Sequence, residues 1–343
     1  MVQPLTHVAP PDIHASLRDF LARWRDDSPT VEVQTSGSTG APKLMRVEKS
    51  RMEAGARLTC AFLGLHEGDS ALLCMPLQYI AGKMVVVRAL TWGLRLVVVQ
   101  PSGHPLAGLD EAPDFAAMIP MQVYNSLQVP RERELLRRVR HLIIGGGAVD
   151  AALSDALRDF PHAVWSTYGM TETLSHIALR RLNGPDASDW YVPFPSVDIR
   201  LSARGTLIIH APTVNPDVLE TNDIAELDPQ GRFRILGRAD NTINTGGVKV
   251  QAEQVEARLS ASLRAPFAVT SVPDPRLGEA VTLVYADALS TDEVMRLCRE
   301  SLPAYWCPKH CYRVPSIPRT GTGKVARAEV RALAEELRKG EGE

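Results

Sequence analysis

Residues 35–43 read Thr35-Ser36-Gly37-Ser38-Thr39-Gly40-Ala41-Pro42-Lys43 and follow directly on the strand-like VEVQ of residues 31–34. The glycines let consecutive backbone N–H groups turn toward one anion, and the neighbouring hydroxyls add donors. The stretch is a phosphate-binding loop by its chemistry, although no G-x₄-G-K-[ST] spacing can be laid over it. Around it the chain has an α/β texture. Ile13, Leu17, Phe20, Leu21 and Trp24 recur at helical spacing. ALLCM (71–75), RLVVV (95–99), FAAMI (115–119), HLIIG (141–145) and AVWST (163–167) read as buried strands, with segments of helical length such as 82–92 and 150–160 between them. Apolar strands interleaved with helices predict a mostly parallel sheet covered on both faces.

After about residue 190 the pattern changes. VDIRL, TLIIH, DIAEL and RFRIL are short strands at close spacing, punctuated by Gly205, Pro212, Asn215-Pro216 and Pro229-Gln230-Gly231. They predict an antiparallel β segment that completes the first domain. A boundary is expected near Gly237–Asn241. Beyond it come INTGGVKV, a helix from Gln251, strands FAVTSV and AVTLVYA, a helix near 291–301 and a last helix from Ala326. The 343 residues therefore divide into an α/β domain over 1–237 and a smaller α+β domain over 238–343.

Composition removes several classes of function. Lys+Arg 38 against Asp+Glu 40 leaves a net charge of −2, a poor basis for bulk nucleic-acid binding. The most apolar stretch, 84–99, is broken by Arg88 and Arg95, so no bilayer span or membrane insertion is expected. The N-terminal MVQPLTHVAPPD lacks the basic and apolar regions of a signal peptide. Five scattered cysteines suit a reducing cytoplasm better than a disulfide framework. Residues 307–311 read CPKHC, but one C-x₃-C with a single His lacks the second ligand pair of a structural zinc.

Three further motifs carry chemistry. Tyr168-Gly169-Met170-Thr171-Glu172-Thr173 follows the strand AVWST and gathers an aromatic face, hydroxyls and a carboxylate at a strand end. Such a set can stack a base, touch a phosphate and hold Mg²⁺. Gly145-Gly146-Gly147-Ala148 closes the preceding strand and permits close backbone approach to a flat ring. At the proposed boundary lies Gly237-Arg238-Ala239-Asp240-Asn241-Thr242-Ile243-Asn244-Thr245-Gly246-Gly247-Val248-Lys249-Val250, and near the C-terminus Pro318-Arg319-Thr320-Gly321-Thr322-Gly323-Lys324.

In order and spacing these motifs resemble the adenylate-forming superfamily of acyl- and aryl-CoA synthetases, peptide-synthetase adenylation domains and luciferases. The resemblance covers residues 35–324. It implies that a carboxylate attacks the α-phosphate of ATP, releasing pyrophosphate, and that a thiol then displaces AMP from the acyl-adenylate. Thr35, Ser36, Gly37, Ser38, Thr39, Gly40 and Lys43 would hold the β/γ-phosphates, Glu172 the Mg²⁺ and Thr171 the α-phosphate. Tyr168, Gly169, Met170 and the Gly146, Gly147 and Ala148 backbone would surround adenine. Asp223 would bind ribose, although Asn222 stands where the family usually has glycine, and Arg238 would assist. Lys324 matches the adenylation lysine. Asp240 matches the hinge about which a mobile C-terminal domain rotates, bringing Gly246, Gly247 and Lys249 to the CoA thiol.

The chain is shorter than usual for the superfamily, which implies an N-terminal subdomain missing or pared to one or two helices. Its run TETLSHIALRRLNG looks like that of compact bacterial o-succinylbenzoate–CoA ligases of menaquinone biosynthesis. In Pro76–Gly82 Tyr79 occupies a place often held by histidine. Tyr79, Lys83, Ser175, His176 and Arg180 are the expected acid-binding residues, with Lys83 or Arg180 and Arg181 offering a cation to a second carboxylate. The expected partners are a small carboxylic acid, ATP and CoA, and a homodimer is compatible with the sequence. Another small aromatic or aliphatic acid, or a carrier-protein thiol in place of CoA, remains an open alternative.

Overall fold

A computed structural model describes residues 11–34, 44–320 and 324–340. The first part of the chain runs α1 (Pro11–Arg25), β1 (Thr30–Gln34), β2 (Leu44–Glu48), α2 (Lys49–Leu63), β3 (Ser70–Leu73), α3 (Ile80–Trp92), β4 (Arg95–Val98) and β5 (Phe115–Met118). It continues through α4 (Pro120–Gln128), α5 (Pro130–Arg138), β6 (His141–Ile144), α6 (Ala151–Leu157), β7 (Ala163–Gly169), β8 (His176–Arg181) and β9 (Val192–Pro193). A seven-stranded sheet forms in the order β4-β3-β5-β6-β7-β8-β9. The strands β4 to β7 are parallel, as the buried apolar runs predict, while β8 and β9 add antiparallel pairs at one side.

Alternation along the strands sends side chains to two separate cores. Ala71, Leu73, Phe115 and Ile143 pack with residues of α1, α2 and α3, whereas Leu72, Ala116, Met118, Leu142 and Ile144 pack with α4, α5 and α6. Both faces are thus covered. The strand read in VEVQ lies outside this sheet: β1 pairs with β2 in a separate hairpin, with Gln34 opposite Leu44. The run HIALRR, unassigned from periodicity, is β8, because a strand buried on both faces shows no alternation.

Next come β10 (Asp198–Leu201), β11 (Thr206–His210), β12 (Val218–Leu227) and β13 (Phe233–Arg238), a four-stranded antiparallel meander. The β12–β13 register shifts between Ile224 and Ala225, leaving Leu236 as an extra residue on β13. A 3₁₀ turn at Ala239–Asn241 leads into β14 (Thr242–Thr245) and β15 (Val248–Gln251). Gly246 and Gly247 form the two-residue turn of this hairpin with φ +59° and +81°, a conformation that side chains with a Cβ resist.

The remaining elements are α7 (Ala252–Leu259), β16 (Phe267–Asp274), β17 (Gly278–Tyr285), α8 (Thr291–Ser301), β18 (His310–Arg313) and α9 (Arg327–Gly340). With β14 and β15, the strands β16 to β18 build a five-stranded sheet, in which β18 pairs with β17 in parallel. α8 begins with a capping box between Ser290 and Glu293. The CPKHC segment enters β18, and among the described residues no group of three or more His, Cys, Asp or Glu is placed to hold a metal. All five cysteines are free. No helix among the described residues is long and apolar enough to cross a membrane.

Candidate active site

β7 carries the aromatic–hydroxyl–carboxylate motif. Gly169 ends the strand against the next segment: a Cβ built there would lie 2.2 Å from the Ser175 carbonyl oxygen, so only glycine fits. Leu174 takes a left-handed φ of 61°, closing the tight return into β8. The Thr173 hydroxyl braces this return, accepting from the Met170 N–H at 3.0 Å and lying 2.7 Å from the Ser175 carbonyl. Asn215 donates to the Glu172 carbonyl at 2.8 Å. Thr171 and Glu172 are half-buried, and a single carboxylate beside a hydroxyl fits Mg²⁺, which draws most of its remaining ligands from phosphate and water.

Tyr168 joins this motif to the meander. Its hydroxyl donates to Asp223 Oδ2 at 2.6 Å, and its ring packs edge-on to Phe233 with centroids 5.0 Å apart. Burial, reinforced by the Asp223 carboxylate, pushes the Tyr168 phenol well above its ordinary value, so it stays a donor. Asp223 and Arg238 are cross-strand partners on β12 and β13, and Arg238 Nη1 donates to Asp223 Oδ1 at 3.1 Å. Arg238 Nη2 also reaches Asp240 Oδ2 at 3.0 Å, and Asn222 donates to both Asp240 oxygens at 3.4 and 3.3 Å. Gly146, Gly147 and Ala148 follow β6, with Gly146 and Ala148 exposed.

Lys324 lies close enough to this cluster to feel both charges. Desolvation by the surrounding protein lowers the pKa of its ammonium; Arg238 adds to that effect and Asp223 opposes it. The turn bearing Lys324 is closed by Thr320 N–H donating to the Lys324 carbonyl at 2.7 Å and by a bridge between Arg319 and Val325. Residues 35–43 and 321–323 lie outside the described residues, and with them Thr35, Ser36, Gly37, Ser38, Thr39, Gly40 and Lys43. The strands on either side of residues 35–43 are paired, and Gln34 bridges to Tyr79 of the acyl motif. Gly246 and Gly247 are exposed at the β14–β15 turn, and Lys249 is exposed on β15.

The expected acid-binding residues divide into two groups. Lys83 Nζ donates to the Glu32 carbonyl at 2.7 Å and, at 3.4 Å, to that of Gln78. Burial and Arg23 pull its ammonium below its ordinary value, with Glu32 opposing. Arg180 pairs with Asp189 at 2.9 Å and lies over the Tyr191 ring. Ser175 and His176, by contrast, meet a residue that sequence reasoning passed over: Arg88, on α3 and 2% exposed.

Donors and acceptors fix the state of that second group. Arg88 Nη2 donates to Ser175 Oγ at 2.7 Å, and Thr59 Oγ1 lies 3.4 Å from the same nitrogen. The Thr59 hydroxyl donates to the Gly55 carbonyl at 3.1 Å, so Thr59 accepts from His176 Nε2 at 3.0 Å. His176 Nδ1 is then an acceptor for the Ser175 hydroxyl at 3.2 Å. His176 is held neutral: burial, and then Arg88, drive its pKa well below the ordinary 6.5. Burial pulls Arg88 down to about 10, which still leaves it charged at neutral pH. Arg88 Nε has no hydrogen-bond partner, and among the described residues no carboxylate forms an ion pair with the guanidinium. The sequence signal for Arg88 is a charge inside an apolar helix, a feature that by itself speaks only against a membrane span.

Comparison with known proteins identifies the family and the fold. The AMP-binding enzyme family matches residues 14–207, and its C-terminal domain family matches residues 259–324. A 2-succinylbenzoate–CoA ligase of Bacillus cereus is 24% identical over an alignment covering 89% of this chain and 70% of the relative. An acyl-CoA synthetase (AMP-forming)/AMP-acid ligase II-like protein from Dyadobacter fermentans DSM 18053 is 35% identical, covers 94% of this chain and 95% of its own, and superposes with a TM-score of 0.65. The o-succinylbenzoate coenzyme A synthetase of Bacillus subtilis, solved with ATP and magnesium ion, has the same fold at 22% identity and a TM-score of 0.72, covering 87% of this chain and 69% of its own. The first family match alone spans more than half of the 343 residues, and the chain belongs to the AMP-binding enzyme family.

Proposed function

We propose that this chain, an AMP-forming acid–CoA ligase, takes o-succinylbenzoate as its acid and forms the CoA thioester of menaquinone biosynthesis. The observation that carries the choice of acid is Arg88, a buried guanidinium on α3 that has no carboxylate partner among the described residues. A buried cation without a counter-charge costs several kcal/mol. A substrate with a second carboxylate would offset that cost; a simple benzoate or fatty acid would not. The curated ligases of the same name support the reading.

In this reading Thr35–Gly40 and Lys43 hold the terminal phosphates, and Tyr168 with Gly146–Ala148 flanks adenine. Asp223 receives the ribose hydroxyls, already oriented by Tyr168 and Arg238. Thr171 meets the α-phosphate. Magnesium, when bound at Glu172, neutralises charge on the phosphate oxygens. A carboxylate oxygen of the acid attacks the α-phosphorus while the bond to pyrophosphate breaks. Lys324 stabilises the negative charge that builds on the α-phosphate oxygens. The CoA sulfur then attacks the acyl carbon, its proton passes to solvent and AMP leaves. Residues 1–237 and 238–343 act as two bodies turning about Asp240, so that Gly246, Gly247 and Lys249 replace Lys324 for the second step. A cytoplasmic setting belongs to the same reading, supported by the five free cysteines.

Pyrophosphate release measured with MgATP across a panel of acids, with and without CoA, tests the assignment. We expect o-succinylbenzoate to exceed benzoate and fatty acids, with a CoA thioester as product. Preference for a monocarboxylate would remove the substrate, and an adenylate that CoA does not consume would point to a carrier-protein thiol.

A further inference from the structure

The turn bearing Lys324 runs straight into α9, and the first residue of that helix, Arg327, holds an unusually complete set of partners. Its Nη1 and Nη2 donate to the two carboxylate oxygens of Glu256 on α7, both at 2.7 Å. Nη1 also donates to the Val269 carbonyl at 3.0 Å, while the Val269 N–H donates to Glu256 Oε1 at 2.7 Å. Arg327, Glu256 and β16 therefore close a ring that fixes where α9 begins. A bidentate guanidinium–carboxylate pair sets direction as well as distance.

One helical turn earlier on α7, Glu253 lies 4.0 Å from Arg327 Nη2. Glu253 accepts from Asn241 of the 3₁₀ turn, and from Gln251 Nε2 at 2.7 Å. Gln251 Nε2 in turn donates to the Arg238 carbonyl at 2.6 Å. A continuous set of charged and polar contacts thus runs from the segment 238–241, through Gln251, Glu253 and Glu256, to Arg327, three residues after Lys324. At its far end the set reaches the Arg238 carbonyl, and the Arg238 guanidinium pairs with Asp223.

We propose that Arg327 is a positioning residue for Lys324: clamped by Glu256, and linked through Glu253 to residues 238–241, it sets the reach of the lysine turn relative to the cluster of Asp223 and Arg238. The proposal rests on the role given to Lys324 above. A lysine at the end of a short turn needs such an anchor, because its four-carbon stem supplies no direction of its own. Displacing a reacting charge by about 1 Å costs ~10²-fold in rate. Because Lys324 serves adenylation alone, the clamp should matter for that half-reaction and not for the other.

The test measures both half-reactions in the full chain: pyrophosphate release with MgATP and o-succinylbenzoate, or the acid that proves fastest in the panel, and thioester formation from CoA and the matching synthetic acyl-adenylate. For Arg327→Met we expect adenylation to fall by ~10- to 100-fold through a lower kcat with little change in the KM for ATP, while thioester formation stays within about threefold. Arg327→Lys should recover part of the loss, and Glu256→Gln, which keeps shape and removes charge, should reproduce it more weakly at an unchanged melting temperature. Equal losses in both half-reactions with a lowered melting temperature, in Arg327→Met and Glu256→Gln alike, would overturn the proposal, as would unchanged adenylation. Lys324→Ala serves as the reference: if it leaves adenylation intact, the role of Lys324 fails first and the proposal falls with it.

Discussion

Two polar clusters lie at either end of the same β7–β8 return, and they are built on opposite principles. Around Asp223 the charges cancel: Tyr168 and Arg238 each satisfy one oxygen, Arg238 also reaches Asp240, and Lys324 stands nearby. Around Arg88 they do not cancel, since Ser175, Thr59 and a neutral His176 supply hydrogen bonds but no negative charge. A balanced cluster is rigid before any ligand arrives and presents oriented groups. An unbalanced one stores a desolvation cost that an anion can relieve. The contrast separates a site that orients from a site that selects.

The largest effect is expected where a cation is removed from the balanced side. Lys324→Ala should lower adenylation by ~10²–10³-fold, about 3–4 kcal/mol, with thioester formation from preformed adenylate retained. The pH dependence sharpens this. Lys324 acts as a cation with a proton affinity below that of free lysine, so adenylation should fall as pH rises, starting below the usual lysine range. Lys324→Arg should remove that alkaline limb, and a limb unchanged in the Arg variant would assign it elsewhere.

A smaller effect tests the unbalanced side. Arg88→Met should raise KM for a dicarboxylic acid by ~10- to 100-fold, the value of a charge-assisted contact, and leave KM for ATP nearly unchanged. Its effect on stability should have the opposite sign: replacing an unpaired buried cation by an apolar side chain of similar length is neutral or stabilising. A lowered melting temperature together with an unaltered KM for the acid would make Arg88 a structural residue and dissolve the contrast.

The smallest effect concerns His176. Its folded pKa lies below 6.5, so the native state binds fewer protons than the unfolded chain at mildly acid pH. Its contribution to stability is therefore fully present above about pH 6.5 and declines as pH falls from there, by at most about 1.4 kcal/mol per pH unit. His176→Gln should flatten the melting temperature between pH 6.5 and 5 relative to the parent.

Much of this was legible in the sequence. The parallel strands could be read because strands covered on both faces are apolar throughout, and the helix expected at 291–301 is α8, which a Ser290–Glu293 capping box opens. The motif residues Tyr168, Asp223, Arg238 and Asp240 take their expected roles from the family resemblance, whereas their mutual contacts leave no mark on the sequence, because they arise where β7 meets a different sheet. VEVQ was recognised as a strand and not as half of a separate hairpin, since pairing partners leave no mark on periodicity. Arg88 escaped for a related reason: within an apolar helix a single charge looks like an interruption, and only the fold reveals that among the described residues no carboxylate pairs with it. Lys83 and Arg180 were favoured instead, and each is occupied by protein acceptors.

The register shift between β12 and β13 has a consequence of its own. With Leu236 as the extra residue, β13 bends as it passes Asp223 and reaches Arg238 with added twist. The aim of both side chains therefore depends on how many residues the strand contains as well as on which ones. A chain lacking Leu236 would still possess every group named here and could still set Asp223 opposite Arg238, yet it would leave the strand straightened and start the segment toward Asp240 in a different direction. This stretch can tolerate exchange of one apolar residue for another far better than it can tolerate the loss of one.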